Sequence, residues 1–323
     1  MHMKIVVLEA ARIGKDDSFN SLKDLGELIV YDETADAAEA RERVRDADVV
    51  IVDQFPLNRK TLCTAEHLKL ITMTSTGTDF VDLAYTDSRG IVVSNIRNYS
   101  THSVAQHTIS MLLYLYEKLN IYHDYTAGGA YVNDVDNSSF SNVFCELYGK
   151  EYGIVGMGNI GKEVARIATA FGCHVRYYSP SGRTYPVEYE AISFEQLLTE
   201  SDIISVHTPL TPATEELFNY PAFLRMKSSC VFLNAARGGL VNEIGLARAL
   251  KEGEIAAAGL DVLIREPMAE DCALLPLLPL PNLLITPHMG WAARESRERA
   301  ISEIYKNIKA FLQGTPRNVI SYS

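Results

Sequence analysis

The chain has 323 residues, enough for two domains that each bury a core. Its composition, 47% hydrophobic and 22% charged, reads as that of an ordinary soluble globular protein, and no apolar run reaches the ~18 residues of a membrane span. A formal net charge of −11 with no long basic run argues against a nucleic-acid or anionic-membrane partner, so an anionic substrate or cofactor would need local cations.

The start, Met1 to Glu9, reads as a first strand without the apolar core and cleavage site of a signal peptide; Met1-His2 is given no role. Strands are predicted at Lys4–Leu8, Leu28–Tyr31, Val49–Val52, Leu70–Thr74 and Ile91–Ser94, with helices near 35–46, 58–66 and 80–88 between them. Such alternation implies a parallel sheet covered by helices on both sides. A long helix is predicted from a hydroxyl cap at Ser100-Thr101 to about Thr126, before Gly128-Gly129. It carries Val104, Thr108, Met111, Leu112 and Leu115 on one face. It reads as the crossover into a second α/β domain, and Asn133–Leu147 reads as a loop or arm.

The second domain opens with strand Tyr152–Val155. A helix follows with Ile160, Val164, Ile167 and Phe171 at helical spacing. Further strands are predicted at His174–Tyr178, Ile203–His207, Val231–Asn234, Ala257–Leu260 and Leu283–Thr286. A last helix, Ala293 to Leu312, carries Ile301, Ile304, Ile308 and Phe311. No internal repeat or low-complexity segment is visible.

Between the first of these strands and its helix lies Gly156-Met157-Gly158-Asn159-Ile160-Gly161. The first glycine permits a tight turn, the second a close backbone approach to a pyrophosphate, the third close packing of helix on strand. Helix N–H groups would face the phosphates. The acidic residue that usually ends the next strand is missing: His174–Tyr178 runs into Ser179-Pro180-Ser181-Gly182-Arg183. A 2′-phosphate is then not repelled, and Arg183 or Arg176 could pair with it. The cofactor is read as NAD, with tolerance for NADP.

Five cysteines, at 63, 145, 173, 230 and 272, have no Cys-x-x-Cys spacing and read as reduced thiols of a cytoplasmic protein. His102 and His107 read as helix residues near the domain junction, and no ligand grouping suggests a metal.

Three further residues each follow an apolar run: Arg237 in Asn234-Ala235-Ala236-Arg237-Gly238-Gly239, Glu266 before Pro267, and His288 in Thr286-Pro287-His288-Met289-Gly290. Reduction of a 2-oxo acid needs its carboxylate held, its carbonyl polarised and a proton delivered as hydride arrives. Arg237 offers a fork for the first two tasks. His288 can change charge near neutral pH, and Glu266 would orient its ring and favour the protonated form. Residues after the strands of a parallel sheet share the crevice where ligands bind.

In order and local context these segments resemble the D-isomer-specific 2-hydroxyacid dehydrogenases over nearly the whole chain. The resemblance implies two doubly wound parallel-sheet α/β domains. A Rossmann cofactor domain, residues 99–292, would be inserted in a flavodoxin-like substrate domain, residues 1–98 and 293–323, onto which the last helix crosses back. It makes Arg237, Glu266 and His288 catalytic. It assigns substrate binding to Ser75, Thr76, Gly77, Arg237 and Trp291, with backbone N–H groups of Thr76 and Gly77 cradling the carboxylate and Arg294 a further candidate pocket residue. Cofactor contacts are implied at Gly156, Gly158, Asn159, Ile160, Gly161, Ser179, Pro180, Ser181 and Arg183. They continue at His207, Thr208, Pro209, Thr214, Ala235, Ala236 and Gly290, with Asp261 near the nicotinamide carboxamide. A homodimer through the cofactor domains, with the 120–147 region contributing, is also implied.

Tyr99–Thr108, Gly239–Glu243 and Thr286–Glu295 are similar to glycerate dehydrogenases (hydroxypyruvate reductases) in particular. Hydroxypyruvate and D-glycerate are therefore the expected pair, with glyoxylate also accepted. D-Lactate dehydrogenase remains an alternative. Phosphoglycerate dehydrogenase is disfavoured by the short chain beyond the last helix and by the lack of extra basic residues in the substrate loop. A formate dehydrogenase fits less well, because Glu stands at 266 where those relatives carry an amide. A dinucleotide-sensing corepressor-like binding protein is the alternative from another class.

Overall fold

The computed structural model describes residues 3–13, 18–133 and 142–320. The chain forms two compact units, Met1–Ser100 with Ala292–Ser323, and Thr101–Trp291.

The first unit is built on β1 (Lys4–Val7), β2 (Glu27–Val30), β3 (Val49–Val52), β4 (Leu70–Met73) and β5 (Val92–Ser94). These pair in parallel in the order β5-β4-β3-β1-β2, and Val319–Ile320 adds an antiparallel edge to β5. Both faces of β3 and β4 are buried, which is why they are apolar throughout except for Thr72 rather than alternating. The helix Arg294–Leu312 packs on β4 with Ala300, Ile301, Ile304 and Ile308 buried. Its polar residues tie it to the chain after β5: Asn307 Nδ2 donates to the Asn95 carbonyl at 2.8 Å and Arg299 Nε to the Tyr99 carbonyl at 2.8 Å.

The second unit is built on β6 (Glu151–Val155), β7 (His174–Tyr178), β8 (Glu190–Ala191), β9 (Ile203–Val206), β10 (Val231–Asn234), β11 (Ala257–Leu260) and β12 (Leu283–Ile285). All pair in parallel, in the order β12-β11-β10-β9-β6-β7-β8. The order reverses between β6 and β9, which opens a crevice at the carboxyl ends of these strands. Alternate residues serve opposite faces. Val231 and Leu233 join a core with the helices Thr101–Tyr116 and Asn159–Ala170, whereas Phe232 joins one with Phe218, Phe223 and Leu246. Phe194, Phe218, Phe232 and Phe223 form a chain of ring contacts with centroids 5.8, 4.8 and 5.4 Å apart in succession. The two doubly wound parallel sheets are those the alternation of elements implied.

Two local expectations need correction, and two helices were not predicted. The helix expected to run to about Thr126 is two helices, Thr101–Tyr116 and Leu119–Ala127, parted at Lys118 in the left-handed region with φ 54°. No glycine or proline marks that break, so the apolar period runs through it unaltered. Phe171 does not extend the apolar face of its helix; it closes the helix and is exposed, and the chain turns away at Gly172 with φ 83°. The helices Phe194–Glu200 and Glu243–Glu252 were not foreseen. Of the segment expected to be a loop or arm, residues 134–141 lie outside the described residues, and 142–147 hold no helix or strand. No helix among the described residues is long and apolar enough to cross a membrane.

Candidate active site

The glycine turn follows β6 at the reversal of strand order. Each of its three glycines is required for a different reason. Gly156 has φ 92° and donates its N–H to the Tyr178 carbonyl at 2.9 Å; a Cβ there would lie 2.9 Å from the backbone of His207 and Thr208. Gly161 passes so close to the turn that a Cβ would lie 2.2 Å from the Gly156 carbonyl oxygen. Gly158 faces open space, caps the helix Asn159–Ala170 and leaves the approach to its N-terminus clear. A helix end with N–H groups lacking intrahelical partners and a partial positive charge suits a pyrophosphate. The turn therefore fits a dinucleotide.

Beside it, the loop after β9 is shaped by Thr214. Its buried hydroxyl accepts from Thr211 N–H at 2.8 Å and donates to the Pro209 carbonyl at 2.9 Å, fixing Thr208 and Pro209 against the turn. His207 contacts Ser205 Oγ through Nε2 at 2.9 Å; its Nδ1 is buried with no hydrogen-bond partner among the described residues. Burial pushes its pKa down to about 3, so the ring is neutral.

After β7, Ser179 and Ser181 place their hydroxyls 3.3 Å apart, Pro180 lies between them, and Gly182 turns the chain with φ 69°. No carboxylate stands among residues 179–184. Arg183 is exposed with its guanidinium 5.2 Å from the Tyr185 ring centroid, and Lys162 Nζ is 5.8 Å from the same ring. Arg176 cannot take the role suggested for it. It lies within β7 and is committed to Glu151 of the neighbouring β6 at 3.0 Å and to Glu200 at 2.7 Å.

The Arg, Glu and His come from three neighbouring strand ends. After β10, Asn234 shapes the turn: its Oδ1 accepts from Ala236 N–H at 3.0 Å and its Nδ2 donates to the Arg237 carbonyl at 2.9 Å. Arg237 donates through Nη1 to the Ala236 carbonyl at 2.8 Å. At Gly238 this turn touches the backbone of the loop after β11; a Cβ would lie 2.0 Å from Leu263 C and O. That second loop carries Glu266, whose Oε1 accepts from Leu263 N–H at 2.9 Å while Oε2 meets His288 Nδ1 at 2.7 Å. His288 follows β12 with φ 51°, in a left-handed conformation unusual for a residue with a side chain. Both side chains of the pair are about one-third exposed, 32% for His288 and 34% for Glu266, so solvent-borne molecules can reach them.

Electrostatics follow from this geometry. The Glu266 hydrogen bond holds the His288 pKa above its ordinary value, against the opposing effects of burial and of the Arg237 charge. Burial alone would raise the Glu266 carboxyl; bonds from His288 and Leu263 outweigh it and hold the group below the usual range.

Asp261, at the end of β11, is 2% exposed and acts on the histidine turn. Its carbonyl accepts the His288 N–H at 2.8 Å, Oδ1 accepts from Met289 N–H at 2.8 Å and Thr286 Oγ1 at 2.7 Å, and Oδ2 accepts from Gly290 N–H at 2.8 Å. Burial opposes its charge, but these bonds and one from His107 keep the carboxyl below its ordinary value. Sequence reasoning missed Asn234, Ser103 and the reach of His107 toward Asp261. An amide at a strand end was a signal for the first; nothing local signalled the others.

In the first unit, the loop after β4 is braced from β5 onward. Asn95 Nδ2 donates to the Thr76 carbonyl at 2.7 Å, Thr76 Oγ1 to the Ile96 carbonyl at 2.9 Å and Ser75 Oγ to the Gly77 carbonyl at 3.2 Å. Trp291 is half-buried and ends the second unit, and Arg294 pairs with Glu298 at 3.0 Å along its own helix.

Comparison with known proteins agrees with this chemistry. Residues 109–290 match the NAD binding domain of the D-isomer specific 2-hydroxyacid dehydrogenases. The chain is 36% identical to a hydroxypyruvate reductase of Blautia hydrogenotrophica over 99% of its own length and 100% of the relative. It is 34% identical to a glycerate dehydrogenase of Methylorubrum extorquens, with 99% of each chain covered. Among solved structures, an acyclic imino acid reductase bound to NADPH and D-Arg superposes with a TM-score of 0.88 at 28% identity, covering 98% of this chain and 100% of that one. The chain therefore belongs to the D-isomer specific 2-hydroxyacid dehydrogenase family, oxidoreductases that work with NAD(P).

Proposed function

We propose that the protein reduces hydroxypyruvate to D-glycerate, accepts glyoxylate, and uses NADH with tolerance for NADPH. The observation that carries the reading is the 2.7 Å contact of His288 Nδ1 with Glu266 Oε2 beside Arg237, at the strand ends next to a dinucleotide turn. The names of the two relatives, hydroxypyruvate reductase and glycerate dehydrogenase, support the choice of substrate.

When bound, a nicotinamide would supply the hydride that reduces the 2-oxo acid. Because Glu266 occupies Nδ1, Nε2 is the ring nitrogen of His288 that delivers the proton to the carbonyl oxygen, leaving a hydroxyl. With Nη1 of Arg237 held by the Ala236 carbonyl, Nη2 and Nε remain to clamp the substrate carboxylate and carbonyl. Thr76 and Gly77 N–H groups, ordered with Ser75 in the loop after β4, are assigned to the carboxylate, and Trp291 to the pocket wall. Gly156, Gly158, Asn159, Ile160 and Gly161 are assigned to the pyrophosphate. Ser179, Pro180, Ser181 and Arg183 go to the adenosine ribose. His207, Thr208, Pro209, Thr214, Ala235, Ala236 and Gly290 line the rest of the cofactor's course. A cytoplasmic homodimer belongs to the same proposal.

The test is nicotinamide absorbance with hydroxypyruvate, glyoxylate, pyruvate and 3-phosphohydroxypyruvate, each with NADH and NADPH. The highest kcat/KM on hydroxypyruvate supports the reading. The highest on pyruvate or on the phosphorylated acid replaces it with D-lactate or phosphoglycerate dehydrogenation. Tight cofactor binding without turnover on any of them would favour a sensor.

A further inference from the structure

We infer that His107 is a positioning residue for the catalytic turn, acting through Asp261 together with Ser103. This rests on the reading that His288 is the proton donor.

The turn Thr286 to Gly290 has to present His288 in a left-handed conformation, φ 51°, which a residue with a side chain holds only where its surroundings impose it. The imposing group is Asp261: three successive N–H groups, of His288, Met289 and Gly290, end on its carbonyl and carboxylate. Asp261 is in turn fixed from the helix Thr101–Tyr116. His107 Nε2 lies 2.9 Å from Thr286 Oγ1 and 3.3 Å from Asp261 Oδ1.

The tautomer follows from hydrogen counting. Thr286 has one hydroxyl hydrogen and directs it to Asp261 Oδ1 at 2.7 Å. Its oxygen can then only accept from His107, so Nε2 carries the hydrogen and shares it between Thr286 and Asp261. The ring is also packed against the turn. A Cβ on Gly290 would lie 3.2 Å from His107 Cδ2 and 2.9 Å from Asp261 Oδ2, so only glycine lets the three meet. One helical turn before His107, Ser103 donates its hydroxyl to the Gly290 carbonyl. Two residues on one helix face thus hold the turn: His107 through Thr286 and the Asp261 carboxylate, Ser103 directly at Gly290. The charged groups that face His288 itself are Glu266, Asp261 and Arg237. Loosening the turn draws His288 away from Glu266 and lowers its pKa.

The test compares wild type, His107→Leu and His107→Gln, the last keeping an N–H donor near the Nε2 position. Two readouts are taken: steady-state kinetics on hydroxypyruvate, and titration of the His288 ring by NMR on carbon-labelled histidine in the enzyme without substrate. The His288 signal is identified by its loss in His288→Gln. In His107→Leu, kcat should fall about 10- to 100-fold, the scale of a small misplacement of a reacting group, with the KM for NADH unchanged. The ring of His288 should titrate at lower pH than in wild type, and His107→Gln should recover most of both effects. Wild-type kcat and His288 titration in a folded His107→Leu overturn the inference. So does a loss that His107→Gln fails to recover. Should His107→Leu not fold, Ser103→Ala answers instead: the same two shifts, smaller in size, support the inference, and their absence overturns it. The ring titration needs no turnover, so an inactive wild type would strike the proposed reaction and leave this inference to be decided by NMR.

Discussion

His288 Nδ1 lies 2.7 Å from Glu266 Oε2, and this contact holds the imidazole pKa above its ordinary value of 6.5 while the glutamate stays below its ordinary 4.5. The charged pair is favoured throughout the interval between those values and for some distance beyond each. Reduction needs the protonated ring. Its kcat/KM should therefore hold past the ordinary histidine range and fall about tenfold per pH unit only above the raised pKa. Glu266→Gln removes the charge that raises it, so the fall should begin at lower pH, while oxidation, which needs the neutral ring, should persist to lower pH. A pH profile for reduction that is the same in both enzymes would remove Glu266 from this role.

The same pair makes a contribution to stability with a defined sign. The raised histidine pKa stabilises the fold at pH below 6.5 and loses that effect as pH rises through the folded value; the lowered glutamate pKa stabilises it above 4.5 and loses the effect as pH falls through its own. Stability conferred by the pair should peak in the window between. The difference in thermal midpoint between wild type and Glu266→Gln, followed against pH, should be largest there and shrink on both sides. A difference that grows steadily toward either extreme would contradict the assignment.

Arg237→Lys should be severe although it keeps the charge. The guanidinium already gives Nη1 to the Ala236 carbonyl and has two further nitrogens directed in a plane. An ammonium cannot hold that carbonyl and also present a fork to a carboxylate. Loss of one such clamp in a dry site costs about 10²- to 10³-fold, and it should appear in kcat/KM for the 2-oxo acid while NADH affinity, followed by fluorescence, stays as in wild type. A near-normal rate would refute the clamp.

Much of this arrangement was legible because each part announces itself locally. β3 is a short unbroken apolar run and β10 one up to its closing Asn234, as suits strands covered on both faces. Gly156, Gly158 and Gly161 could be read as a set because each answers to a different steric demand. Arg237, Glu266 and His288 stood out by following apolar runs. What stayed hidden depends on segments distant in the chain. The ion pairs that commit Arg176 need Glu151 brought alongside by strand pairing and Glu200 by the packing of the helix Phe194–Glu200 on β7. The bond of His107 toward Asp261 needs a helix laid beneath two strand ends, and the break at Lys118 has no glycine or proline to reveal it.

Gly238 is another residue whose need only the fold reveals. Its Cα sits where the loop bearing Arg237 meets the loop bearing Glu266, and a methyl group there would lie 2.0 Å from Leu263 C and O and 2.4 Å from Ile264 N. Those neighbours are backbone and cannot swing aside. Gly238→Ala should separate the two loops, costing about 1 to 3 kcal/mol of stability by overpacking. It should lower kcat more than a stability loss of that size explains, because Arg237 and Glu266 move relative to each other. Denaturant unfolding and kinetics on the same preparation check this, and unchanged kcat in a folded variant would show that the contact does not position the site.

The loop after β7 is the proposed discriminator between the two cofactors. Ser179 and Ser181 offer hydroxyls, Arg183 and Lys162 each bring a cation near the Tyr185 ring, and no carboxylate stands among residues 179–184. In the proposed reading such a loop would hold the ribose hydroxyls of NADH and would not repel the 2′-phosphate of NADPH. Ser179→Asp places a charge where that phosphate would lie. Two like charges about 4 Å apart at a protein surface repel by several kcal/mol, so NADPH use should fall by about 100-fold or more, with NADH use little changed. Arg183→Ala should lower NADPH use in the same direction but less, because Lys162 remains. Arg176→Ala should leave the ratio of kcat/KM for the two cofactors untouched, since its partners are Glu151 and Glu200. If Arg176→Ala shifted that ratio and Arg183→Ala did not, the assignment of this loop would be reversed.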